Sequence, residues 1–73
     1  MFDYSKLRGR IRELYGTQGE FAKAVGRSLT HISQVLNGKS FLGQDELFTW
    51  ADALGISDEE IVAYFFARKT HET

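Results

Sequence analysis

Only three residues, Gly26, Arg27 and Ser28, separate two segments that each read as a short helix, and nothing else constrains this chain as tightly. Upstream, "TQGEFAKAV" puts Phe21, Ala22 and Val25 on one helical face. Thr17 followed by Glu20 reads as a capping box: the hydroxyl accepts the Glu20 amide and the carboxylate reaches back to the Thr17 amide. Gly26 then offers a left-handed stop. Downstream, Ser28 suits an N-cap, and Ile32, Val35 and Leu36 recur at i, i+3 and i+4. Asn37-Gly38 closes that segment. So short a turn between two short amphipathic helices forces a sharp angle, the helix-turn-helix arrangement over about 17–37.

Three further helices frame this pair. One spans about 4–14, with Leu7, Ile11 and Leu14 as its apolar stripe, Asp3 as its cap and Gly16 as its stop. Gly9 inside it costs about 1 kcal/mol relative to Ala, which predicts close approach of another backbone. The next spans about 44–54, with Leu47, Phe48, Trp50, Ala51 and Leu54 on its apolar side and Gly55 after it. The last spans about 58–67, opened by a second capping box of Ser57 with Glu60. Its acids Asp58, Glu59 and Glu60 suit the positive end of the helix dipole, and Arg68 and Lys69 suit the other end. The tail "THET" is expected to fray. The expected fold class is all-α: one domain over 1–73, with five short helices.

Length and composition narrow the function classes. A chain of 73 residues has room for one core and buries only about 60% of its unfolded surface. With no Cys, disulfides, zinc knuckles and thiol catalysis are excluded. No apolar run approaches the roughly 18 residues of a membrane span, and "MFDYSKLRGR" has no apolar export core. Membrane association is therefore not expected, and the cytoplasm of a bacterial host is.

The net charge of −1 conceals an asymmetry. Residues 1–39 carry seven Lys/Arg against three acids, and residues 40–73 carry two against seven, so the halves stand at +4 and −5. Such a split suits a face that meets polyanions and a face that avoids them, although solvated helices also differ in charge for no functional reason.

Residues 17–39, "TQGEFAKAVGRSLTHISQVLNGK", resemble the helix-turn-helix of the Cro/C1-type (XRE-like) family of phage and bacterial regulators. The matching features are Gln18 opening its helix, Ala22, Gly26 in the turn, Ile32, and Asn37-Gly38-Lys39. More loosely, the five-helix pattern resembles a lambda-repressor-like DNA-binding domain, and "YSKLRGRI", "GTQ" and "YFF" look like small phage-associated Cro-like proteins. The resemblance implies sequence-specific binding of an operator in duplex DNA, with the helix over about 28–36 in the major groove. Its base-contacting candidates are Leu29, Thr30, His31, Ser33 and Gln34. Gln34 can pair bidentately with adenine, Thr30 can meet a base or a thymine methyl, and His31 can donate to guanine or phosphate. Leu29 either touches thymine methyls or packs. The phosphate-contacting candidates are Gln18, Lys23, Arg27, Ser28, Asn37, Gly38 and Lys39. For Asn37 and Gly38, helix termination is an equally complete explanation. Several relatives carry a buried Arg–Glu pair from the first helix to the end of the recognition helix. Ile11 and Leu36 stand at the matching positions here, and an apolar pair can replace an ionic one with little loss.

Catalysis is not expected. Ser28 is needed as a cap, and no third group is evident to orient His31. His31 and His71 are the only histidines and lie far apart in sequence, so neither a metal nor another cofactor is expected. No small-molecule ligand is expected either. The segment "IVAYFFARK" is apolar around most of its circumference, and its Tyr64, Phe65 and Phe66 either form a two-fold homodimer contact or complete the core. The competing functional reading is a protein-interaction module, an antitoxin or anti-repressor, working through the acidic second half and the aromatic last helix.

Overall fold

The computed structural model describes residues 2–68. The chain forms α1 (Ser5–Tyr15), α2 (Gln18–Val25), α3 (Leu29–Leu36), α4 (Gln44–Ala53), a 3-10 turn (Asp58–Glu60) and α5 (Ile61–Phe65). The all-α, five-helix expectation holds. The one extended pairing among the described residues is an isolated antiparallel bridge between Phe2 and Arg68. None of their helices is long and apolar enough to cross a membrane. Lys69, His71 and the "THET" tail lie outside the described residues.

The local signals act much as their chemistry predicts. Thr17 Oγ1 accepts from the Glu20 amide at 3.1 Å, and Ser28 Oγ from the His31 amide at 3.1 Å. Gly26 sits at φ +71°, where a side chain would be strained, and its amide returns to the α2 carbonyls. The Ser57–Glu60 box forms as expected, whereas the first box forms only its Thr17 half. The Glu20 carboxylate turns to Lys23 Nζ at 3.3 Å. Glu60 Oε1 accepts from both the amide and the hydroxyl of Ser57, at 3.1 and 3.0 Å. Asp3 Oδ1 accepts from the amide and hydroxyl of Ser5, which opens α1.

The core is built around Trp50, Phe21 and Phe65, all at most 2% exposed. Phe21 meets Trp50 edge-on at 5.0 Å between ring centroids, a favoured aromatic geometry. Leu7 and Ile11 bring α1 onto this centre, and Ile32 and Val35 bring α3.

Four expectations about packing fail. Leu14 is exposed, because Tyr15 continues the Leu7–Ile11 stripe and its hydroxyl donates to the Ala53 carbonyl at 2.8 Å. Phe48 also points to solvent, as Trp50 and Ala51 fill the buried side of α4. Nothing lies within 4 Å of where a Cβ on Gly9 would stand, so no backbone approaches it. The last helix is shorter than 58–67: it starts as a 3-10 turn and ends at Phe65, and the Ala67 carbonyl beyond it accepts from the Asp3 amide.

Side chains of α1 also close the C-terminal ends of two other helices. Arg8 Nη2 donates to the Leu36 carbonyl at 2.7 Å, and Arg10 Nε to the Leu54 carbonyl at 2.8 Å. A cation there satisfies orphaned carbonyls and meets the negative end of the dipole.

Candidate nucleic-acid interface

The α2–α3 pair is the motif that the short turn predicted. Its inner side is apolar and closed: Phe21 and Ala22 from α2 and Ile32, Val35 and Leu36 from α3 are all buried. This fixes which residues of α3 remain outside. Thr30 and Gln34 are exposed, and Leu29 is 52% exposed, outside the buried core.

The remaining candidates are engaged to different degrees. Ser33 Oγ donates to Gln18 Oε1 at 3.3 Å, and both residues are half-buried. That bond ties the start of α2 to the middle of α3 and keeps a base candidate and a phosphate candidate side by side. Lys23 is exposed and paired with Glu20. Lys39 is exposed, just past α3. Ser28 spends an oxygen lone pair on its cap but keeps its hydroxyl proton to donate. Asn37 Oδ1 accepts from Arg8 Nη2 at 2.9 Å, which leaves its amide nitrogen for an outside partner.

Gly38 does not fit a phosphate role. Its sole donor is its backbone amide, which donates to the Val35 carbonyl at 3.0 Å. It terminates the helix. Phe65 is likewise withdrawn from the dimer candidates, because it is 2% exposed and part of the core. Tyr64 is half-buried, with Lys6 Nζ 4.7 Å above its ring, and Phe66 is partly exposed, edge-on to Phe2 at 5.6 Å.

Sequence reasoning missed two contributors. One is Arg8. Ile11 and Leu36 are indeed both buried and apolar, but an arginine one turn earlier still reaches the end of α3, through its carbonyl. The other is Glu46. Its Oε2 lies 2.6 Å from His31 Nε2 and 3.3 Å from Arg27 Nε, so His31 has an orienting carboxylate after all. The available signal was the i, i+4 spacing of Glu46 and Trp50, which places a carboxylate one turn from a buried indole that needs an acceptor.

Residues 1–68 match the model of a family described as a protein of unknown function, DUF739. The chain belongs to the DUF739 family. A solved relative has both its fold and much of its sequence. It is the modulator of repression (MOR) of the temperate bacteriophage TP901-1 from Lactococcus lactis, a solution structure. The identity is 40%, the TM-score is 0.81, and the match covers 96% of this chain and 95% of that one. No curated protein matches. The family shown is DUF739, and the likeness to a small phage regulatory protein agrees with the expected setting. In this DUF739 chain the helix-turn-helix is complete in its packing, and its outer face combines Leu29, Thr30 and Gln34 with few unpaired cations.

Proposed function

We propose that the chain is a small, non-catalytic transcriptional regulator of a phage or prophage. It docks α2 and α3 on duplex DNA, with α3 in the major groove. The observation that carries this reading is the outer face of α3: Leu29, Thr30 and Gln34 project from a helix whose other side is fully buried. Gln34 reads adenine, and Thr30 and Leu29 meet thymine methyls. Lys39, Asn37 and Gln18 position the domain on phosphates. Phe66 and Tyr64 supply a two-fold contact, which an operator with two half-sites requires.

Selection of bound sequences from random duplexes tests this, and a palindrome would also report a dimer. Gln34→Ala should cost roughly 1–3 kcal/mol on the selected site and relax one base position. Equal losses on selected and random DNA would remove Gln34 from base readout. Lys39→Ala should weaken all duplexes alike and make the salt slope shallower by about 1.

A second reading is favoured by the name of the MOR relative and by the exposed apolar side chain of Leu29. On it, the same face meets a repressor protein and alters repression without touching bases. No duplex binding at any salt, together with a stable complex with the cognate repressor in gel filtration, would replace the first reading with this one.

A further inference from the structure

Glu46 lies in the first turn of α4, and donors from three places converge on its Oε2. They are His31 Nε2 in α3, Arg27 Nε in the turn and Trp50 Nε1 in α4, at 2.6, 3.3 and 3.3 Å. The Glu46 side chain is 11% exposed. Trp50 is fully buried and its indole can only donate, so it ties the carboxylate to the core. The other two donors belong to the helix-turn-helix itself.

The carboxylate dictates what His31 can offer. An ionised carboxylate only accepts, so the imidazole beside it donates from Nε2. A neutral imidazole has one donor and one acceptor nitrogen, which leaves Nδ1 as the acceptor. Arg27 shares the same oxygen through Nε, so the carboxylate offsets its charge while its Nη groups remain further donors.

We propose that Glu46 is a positioning residue for the α3 face: it fixes the His31 donor at Nε2, so that the neutral imidazole presents Nδ1 as an acceptor, and it offsets the charge of Arg27. The inference rests on the reading of α3 as the working surface. It alters the roles expected from the sequence, where His31 was a donor to guanine or phosphate. On DNA, an acceptor at His31 selects the amino groups of cytosine or adenine in the major groove and disfavours phosphate. Arg27 meets phosphate with its charge offset by Glu46.

Long-range proton–nitrogen spectroscopy tests the first half without any DNA. The His71→Gln chain leaves a single imidazole to observe, in mildly alkaline buffer. We expect an Nε2 proton protected from solvent exchange and an unprotonated Nδ1. Glu46→Leu should lose that protected resonance while its circular dichroism stays helical. Glu46→Gln retains an acceptor oxygen and should keep it. An exchange-averaged Nε2 proton in the parent chain, a protonated Nδ1, or a resonance that survives Glu46→Leu would each overturn the assignment.

The second half is read from salt titrations on a random-sequence duplex. Glu46→Gln frees Arg27 and should steepen the salt slope by about 1. An unchanged slope with intact binding would overturn the claim about Arg27. If neither chain binds duplex at any salt, the DNA reading falls, and the spectroscopic result alone decides the role of Glu46.

Discussion

Gly9 should be replaceable by alanine with a gain in stability. It lies inside α1, between Arg8 and Arg10, and is exposed. An added Cβ would meet nothing within 4 Å, so the methyl group neither clashes nor packs. What remains is the backbone term. Glycine in a helix interior is about 0.8–1.0 kcal/mol worse than alanine, chiefly because the unfolded chain loses more freedom on folding. For a domain of this size, 1 kcal/mol moves the thermal midpoint by about 4–8 °C. Thermal unfolding followed by circular dichroism should show that rise. Urea unfolding should show a higher midpoint with an unchanged slope, since no buried surface changes. A midpoint that stays level or falls would refute the reasoning and mean that Gly9 serves a contact within the folded chain. A stabilised chain that loses its DNA or protein partner would instead place that partner on the exposed face of α1.

Three other perturbations separate core from surface and cap from solvent. Phe65→Ala should cost about 3–5 kcal/mol, a large part of the stability of a small domain, whereas Phe66→Ala should leave the melting point nearly unchanged and weaken any dimer seen by sedimentation equilibrium. Tyr15→Phe removes only the hydroxyl that reaches the Ala53 carbonyl, and urea unfolding should show a loss of about 0.5–1.5 kcal/mol. The Glu60 carboxyl is held below its ordinary value of 4.5 by hydrogen bonds from the Ser57 amide and hydroxyl. Its folded value is depressed, so its contribution is present above the ordinary glutamate range and is lost as pH falls through the folded value. Thermal midpoints against pH should therefore drop less steeply in acid for Glu60→Gln, and Ser57→Ala, which keeps the amide bond, should lie between it and the parent chain.

The helices were legible because their signals are local. Thr17, Ser28 and Gly26 act through their own neighbours in the chain, and the Ile32–Val35–Leu36 stripe needs only helical geometry to declare its buried side. The placement of Thr30 and Gln34 outside followed from that same stripe, while Leu29 stayed open between packing and exposure. What escaped was set by partners distant in sequence. Nothing near His31 announces Glu46, which comes from another helix, and nothing near Leu36 announces Arg8. Leu14 and Phe48 show the complementary error. Each is apolar and close to an inward-facing position, but Tyr15 and Trp50 fill those positions with larger side chains that can also satisfy a polar group. Phe65 and Phe66 are neighbours of the same type with opposite fates, and only the packing of α5 against the core tells them apart. Gly38 was a phosphate candidate through the family resemblance, beside its reading as a helix stop, and the bond from its amide to the Val35 carbonyl decides for the stop.

The three α1 side chains that reach across the fold also bear on how it opens. Arg8, Arg10 and Tyr15 bond to carbonyls 28, 44 and 38 residues away, at the ends of α3 and α4. Undocking α1 therefore uncovers both helix ends in a single event, and their last turns fray together. In native-state hydrogen exchange, the amides of Asn37, Lys39 and Leu54 should share one opening free energy with the middle of α1. The end of α3 is thus held in shape by a different helix, and its rigidity is a property of the first helix as much as of its own.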